Sequence, residues 1–179
     1  MNLIFRLLKT LILFLVRPTR RDILAESVVR FRVWPNDLDT NLHMNNGRYL
    51  TLLDLGRLDM LLHLGAVRMI LKQRWNPVLA GLRVRFRRPL NLFQKFDIRT
   101  RIVAWDTNWV FLEQKIIRRG ELVLHAYLKG IFVGPKGSVP ITEVLTLLGI
   151  NRDPPPVPAA MAVWLEAEEK MAKSETKRD

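Results

Sequence analysis

The chain has 179 residues, 49% of them hydrophobic and 26% charged, with a formal net charge of +12. That length and balance fit one globular domain with a core and short accessory segments, and they exclude a disordered chain. The absence of cysteine excludes disulfides, thiolate metal sites and cysteine nucleophiles, and is compatible with a reducing cytoplasm. So much positive charge suits a solvated basic surface, an anionic membrane face or a polyphosphate-bearing ligand such as a coenzyme A thioester. It collects at the N-terminus (Arg6, Lys9, Arg17, Arg20, Arg21) and along one strand pair (Arg83, Arg85, Arg87, Arg88, Lys95, Arg99, Arg101). No zinc-finger spacing, helix-turn-helix or RNP-type aromatic motif accompanies it, so nucleic acid is not an expected partner.

Leu3 to Val16 is strongly apolar but interrupted by Arg6 and Lys9, too short for a bilayer span of about 20 apolar residues. On a helix, Asn2, Arg6, Lys9, Thr10 and Arg17 share one stripe, with Ile4, Leu8, Leu11, Ile12 and Leu15 opposite. Residues 1–21 therefore read as a basic amphipathic helix lying in a membrane interface, with Arg17, Arg20 and Arg21 among anionic head groups. Two alternatives stay open: a helix packed on the protein's own core or dimer, and a signal or anchor. No small-residue cleavage site follows Val16.

Val28 to Trp34 alternates apolar and polar residues as a half-buried strand does, and ends at Pro35. Gly47 to Leu64 is apolar on nearly every side, which predicts a buried helix stopped by Gly65. A short helix over Val67 to Gln73 leads to a turn at Trp75-Asn76-Pro77. From Val78 the period becomes two. Strands are expected from there to Arg87, then over Phe96 to Trp105, Trp109 to Arg118 and Glu121 to Val133, joined by short turns as an antiparallel meander. The expected architecture is α+β, a sheet wrapped around a central helix. Gly134 to Gly137 closes that sheet, and Pro140 to Leu148 forms a short helix. A proline-rich linker and a final helix with a solubilising charged tail complete the chain, giving segments 1–21, 22–150 and 151–179.

The chemistry concentrates in Asp37-x-Asp39-x-x-x-His43-x-Asn45-Asn46-x-x-Tyr49, between the first strand and the buried helix. A helix start offers unpaired N–H groups and a partial positive charge, so it can hold a developing oxyanion while a nearby carboxylate activates water. Acids in such loops are also common caps and turn residues. His63 and His125 look isolated, and no cluster has metal-ligand spacing. Trp105 and Trp109 flank a hairpin turn and suit packing better than substrate stacking.

That ordered set resembles the signature of hotdog-fold thioesterases of the 4-hydroxybenzoyl-CoA thioesterase type. The stretch RRPLNLFQKFDIRTRIVAWDTNWVFLEQKIIRRGELVLHAYLKGIF resembles the subgroup that includes thioesterase superfamily member six. The resemblance implies a hotdog domain whose sheets pair edge to edge in a homodimer or tetramer. It implies hydrolysis of an acyl-CoA or other acyl thioester, with no metal or cofactor beyond the coenzyme A of the substrate. Asp39 becomes the general base or nucleophile, and the backbone N–H of Asn46, with that of Gly47, receives the thioester oxygen. Asp37, His43 and Asn45 organise the loop, Tyr49 packs or lines the acyl pocket, and Asp54 makes a polar contact across the dimer. Some of Arg83, Arg85, Arg87, Arg88 and Lys95 could meet coenzyme A phosphates, although an exposed sheet face explains them as simply. A non-catalytic acyl-CoA or lipid-binding module at a membrane is the alternative; the different Asp/His arrangement of the hydratase branch is absent. The location expected is cytoplasmic, at the inner face of the membrane.

Overall fold

The computed structural model describes residues 2–16 and 21–175; Arg17, Arg20 and the last tail residues, 176–179, lie outside the described residues. Helix α1 (Asn2–Val16) precedes strand β1 (Ser27–Arg32), a 3-10 turn (Pro35–Asp37), the long helix α2 (Asn46–Leu64) and α3 (Ala66–Gln73). Strands β2 (Asn76–Phe86), β3 (Lys95–Trp105), β4 (Val110–Arg118), β5 (Glu121–Gly134) and β6 (Gly137–Val139) follow, then α4 (Ile141–Leu148) and α5 (Ala159–Glu175). The strands form one antiparallel sheet in the order β1-β3-β4-β5-β2, with β6 pairing the end of β5. Gly134 to Gly137 therefore turns the chain into one more short strand instead of closing the sheet.

Helix α2 is apolar all round because it is covered on several sides. Leu52 and Leu53 are almost fully buried, each contributing roughly 1.5–3 kcal/mol through removal from water. The helix lies close on the sheet at Gly56, where an added Cβ would come within 2.8 Å of Ile98 Cγ2 and Thr100 Oγ1. Gly65 ends it with a φ of 74°, a left-handed conformation that lacks the Cβ penalty. Beneath α2 the sheet buries Gln114, whose side chain donates to Leu53 O (2.9 Å) and Thr100 Oγ1 (2.8 Å) and accepts from Arg57 (2.9 Å).

In three places the contacts go beyond the sequence reading, which for α1 leaves packing on the protein's own core open. Helix α1 packs on α2 and the outer edge of β1 through a mixed face: Arg6 and Thr10 are 5% and 1% exposed, beside the partly buried Leu3 and Leu7. Arg6 and Lys9 donate to the carbonyls of Arg32 (2.6 Å) and Arg30 (2.9 Å), which an edge strand would leave unpaired. The first half of α5 is a packing element: Met161 is fully buried, in a cluster with Val103, Phe111 and Tyr127 on the outer sheet face. Nor are the histidines isolated. His125 meets Glu113 Oε1 at 2.8 Å, and His63 packs edge to face on Phe14 and lies 3.6 Å from Asp59.

Candidate active site

The loop between β1 and α2 is held by a short bridge between Leu38 and Met44 and by a second between His43 and Asn91. Within it, Asp39 N donates to His43 O (2.8 Å) and Leu42 N to Asp39 O (3.0 Å), so residues 39–43 form a tight turn. Leu42 carries the strain of that turn, with a φ of 59° that residues bearing a Cβ adopt rarely.

The two acids of the loop have unlike surroundings. Asp37 is fully buried. Arg6 donates to both its oxygens (3.2 and 2.5 Å), Trp34 N donates to Oδ2 (2.8 Å), and Arg48 Nε stands 3.3 Å from Oδ1. Asn45 N donates to the Asp37 carbonyl at 2.8 Å, which ties this acid to the start of α2. Asp39 is half-buried, and its carboxylate accepts from Asn41 N (2.9 Å) through Oδ1, with no donor to Oδ2 among the described residues. Asp39 is thus the acid with lone pairs to spare.

Helix α2 opens beside it. Asn45 is the N-cap, its side chain accepting from Gly47 N (2.8 Å), while Arg48 N and Tyr49 N donate to Asn45 O. Of the two amides expected to receive the thioester oxygen, that of Gly47 is therefore already engaged. The Asn46 N–H has no acceptor among the described residues, in a position where the helix dipole adds to its pull on an anion. His43 is exposed and ties itself to the loop through its backbone.

Tyr49, one turn into α2, is 2% exposed, accepts from Leu90 N (2.9 Å) and packs edge to face on Phe86. Burial, and secondarily the negative charge of Asp39, hold its phenol above the ordinary value, although the Leu90 N–H works the other way. The tyrosine thus stands within electrostatic reach of Asp39. Asp54, farther along α2, pairs with Arg57 of the same helix, whose guanidinium burial pulls down to about 10.

An apolar cavity of about 370 Å³ runs along the C-terminal half of α2, walled by Leu58, Leu61, Trp105, Leu112, Phe132 and Leu145, with Asp54 and Arg57 as polar lining. Arg85, Arg87 and Arg88 share a shallow groove at the end of β2, next to the Phe86 that packs on Tyr49, and Arg83 is exposed on the same strand. Lys95 is not with them. It begins β3 and lines a different groove, with Arg30 and Arg32. No group of three or more His, Asp or Glu side chains among the described residues is placed to hold a metal ion. The residues that sequence reasoning missed are Arg6 and Arg48, the partners of Asp37; the charge of Arg6 inside an apolar run was their one visible sign.

Protein THEM6 of Danio rerio is 36% identical over 108 residues, 60% of this chain, and the chain spans about half (54%) of that relative's length. Among solved structures, the probable thioesterase YbaW of Escherichia coli superposes with a TM-score of 0.63 at 22% identity, covering 67% of this chain and 94% of that one. A gentisyl-coenzyme A thioesterase does so with a TM-score of 0.61 at 20% identity, covering 68% and 98%. These superpositions establish the hotdog fold, an antiparallel sheet curled around a central helix. The family model of the thioesterase-like superfamily matches residues 33–165, from the end of β1 into α5, and the chain belongs to that superfamily.

Proposed function

We propose that this chain is an acyl-CoA thioesterase in which Asp39 is the working carboxylate. What supports the reading is a half-buried carboxylate, with no donor to Oδ2 among the described residues, in the loop that leads into the Asn46 amide at the start of α2. In one course, Asp39 takes a proton from water as the water oxygen bonds to the carbonyl carbon. The carbonyl electron pair moves onto oxygen at the Asn46 N–H; as it returns, the C–S bond breaks and the leaving sulfur takes the proton that Asp39 had accepted, which regenerates the carboxylate. In the other, the Asp39 carboxylate bonds to the carbonyl carbon, the thiolate leaves, and water hydrolyses the resulting anhydride. Both end in a carboxylic acid and free thiol. Neither needs a metal or redox cofactor, and coenzyme A enters only as part of the substrate.

The apolar cavity suits an acyl chain, but it and Asp39 lie toward opposite ends of α2. Asn46 and Leu58 are about 18 Å apart along the helix axis. We take the site as shared between two chains, which makes a homodimer or tetramer part of the reading. The β2 edge supports it: the strand pairs with β5 on one side only, and Val78, Leu79 and Phe86 along it are each about two-fifths exposed. Asp54 then lies at the contact between subunits. The groove at Arg85, Arg87 and Arg88 suits coenzyme A phosphates.

No helix among the described residues is long and apolar enough to cross a membrane. The exposed apolar side of α1 favours contact of this helix with a membrane surface, and a cytoplasmic location is part of the proposal. It also keeps alive a second reading, a non-catalytic acyl-CoA or lipid-binding module. Thiol release from an acyl-CoA panel, with binding measured in parallel, separates the two. Turnover by the wild type that Asp39→Ala abolishes is the expected result. Micromolar binding without turnover gives the binding module, and turnover indifferent to Asp39→Ala removes that residue from the chemistry.

A further inference from the structure

A surface helix ordinarily turns its apolar residues inward, but α1 seats only part of them, Leu3 and Leu7 with Phe14, on the core and leaves a second apolar face outside. Arg6 and Thr10 are buried, whereas Ile4, Phe5, Leu8, Ile12, Leu15 and Val16 are 47–73% exposed. The apolar surface has a second source in a corner formed by Trp34 and Phe93, 44% and 52% exposed and stacked edge to face at 6.1 Å. Phe93 has a φ of 60°, in the left-handed region where glycine or asparagine is at ease and a large side chain is strained. An aromatic that is both strained and exposed has no account in folding alone.

Between α1 and β1 runs a groove of about 800 Å³, lined by Phe5, Lys9, Arg30, Arg32, Trp34 and Lys95 among others. Its cations are not equally satisfied. Arg30 stands opposite Asp97 in the β1–β3 register and pairs with it at 2.6 and 3.0 Å, and Lys9 donates to Arg30 O. Arg32 stands opposite Lys95, and neither forms an ion pair with a described carboxylate. Like charges directly opposite one another destabilise a sheet, and an anion held between them removes that penalty.

We propose that this face docks on an anionic bilayer through two segments, α1 and the Trp34–Phe93 corner, with the Arg32–Lys95 pair taking a phospholipid phosphate. The proposal rests on the reading of α1 as a membrane contact and adds a second insertion point and a head-group site that residues 1–21 do not contain. Aromatic rings beside lysine and arginine suit the depth where acyl chains meet phosphates. Charge selects the occupant: a second copy of this chain would bring the same surplus of cations to the contact, whereas anionic lipid neutralises it.

The test is flotation of the full chain with vesicles of phosphatidylcholine alone and of phosphatidylcholine mixed with phosphatidylglycerol. The wild type partitions onto the mixed vesicles, less so in high salt, and the double variant Arg32→Glu/Lys95→Glu loses about tenfold or more in partition. Phe93→Gly relieves the backbone strain, so its melting temperature holds or rises while its partition falls. A merely structural Phe93 would give the opposite pair of results. Leu8→Glu/Ile12→Glu reports on α1 separately. Groove variants that bind like the wild type, with only the α1 variant impaired, overturn this proposal and leave the α1 contact standing. Equal binding to neutral and mixed vesicles overturns the phosphate site, and a wild type that ignores both overturns the whole. Self-association abolished by Leu8→Glu/Ile12→Glu, without vesicle binding, assigns the face to a second copy instead.

Discussion

Asp37 is sealed between two guanidinium groups and a backbone amide, whereas Asp39, two positions on, is half-buried and has one oxygen with no donor among the described residues. The residue type is the same and the surroundings assign opposite roles. A carboxylate whose lone pairs are filled by Arg6 and Trp34 N, with Arg48 beside it, holds chain segments together and has little capacity left for a substrate. One with an open oxygen beside an uncommitted helix amide can take a proton or attack a carbonyl. The contrast also ties α1 to the loop: through Arg6 it supplies the counter-charge for the buried Asp37.

The largest effect expected from breaking the buried side is that of Asp37→Asn. It leaves Arg6 and Arg48 without their counter-charge, and removing one partner of a buried pair costs about 3–5 kcal/mol, readable in a denaturant titration. Tyr49→Phe acts on the support beside Asp39. It strips the acceptor from Leu90 N and lowers stability by roughly 1–3 kcal/mol, with the hydrogen bond identified by amide exchange at Leu90. A double-mutant cycle on Arg6→Met and Asp37→Asn sharpens the comparison further. The two residues should couple by roughly 0.5–3 kcal/mol, and additive losses would mean that α1 is not latched through this pair.

The smallest effect concerns a third carboxylate, on the outer sheet face. Burial alone would raise the Glu113 carboxyl, but hydrogen bonds from Lys115, His125 and Arg101 outweigh it and hold the group below its ordinary 4.5. A depressed carboxyl lends stability above its unfolded value and loses it as pH falls through the folded one. Melting curves taken from neutral pH to below 4.5 should therefore fall more steeply for the wild type than for Glu113→Gln.

Much of this was legible in the sequence because it depends on local period. The all-round apolar pattern of Gly47 to Leu64 marked the central helix, alternation marked the strands to within a few residues, and the acids before a helix start marked the loop. What escaped depends on contacts between distant residues. Arg6 and Asp37 are 31 positions apart, and no spacing rule joins them. The stripe on α1 was visible, but which side docks was decided by a buried acid and by carbonyls on β1. His125 looked solitary until the β4–β5 register set it diagonally across from Glu113. The engagement of Gly47 N by Asn45 was in principle readable, since Asn is a preferred N-cap and bonds the second or third amide of its helix.

The central claim is that Asp39 works and Asp37 holds. Its most direct test is thiol release by Asp39→Asn at saturating acyl-CoA, measured beside its melting temperature. The account predicts a loss of about 10²–10⁴-fold in kcat with a melting temperature like that of the wild type. A variant that keeps wild-type turnover, or loses activity only in step with its stability, would contradict it.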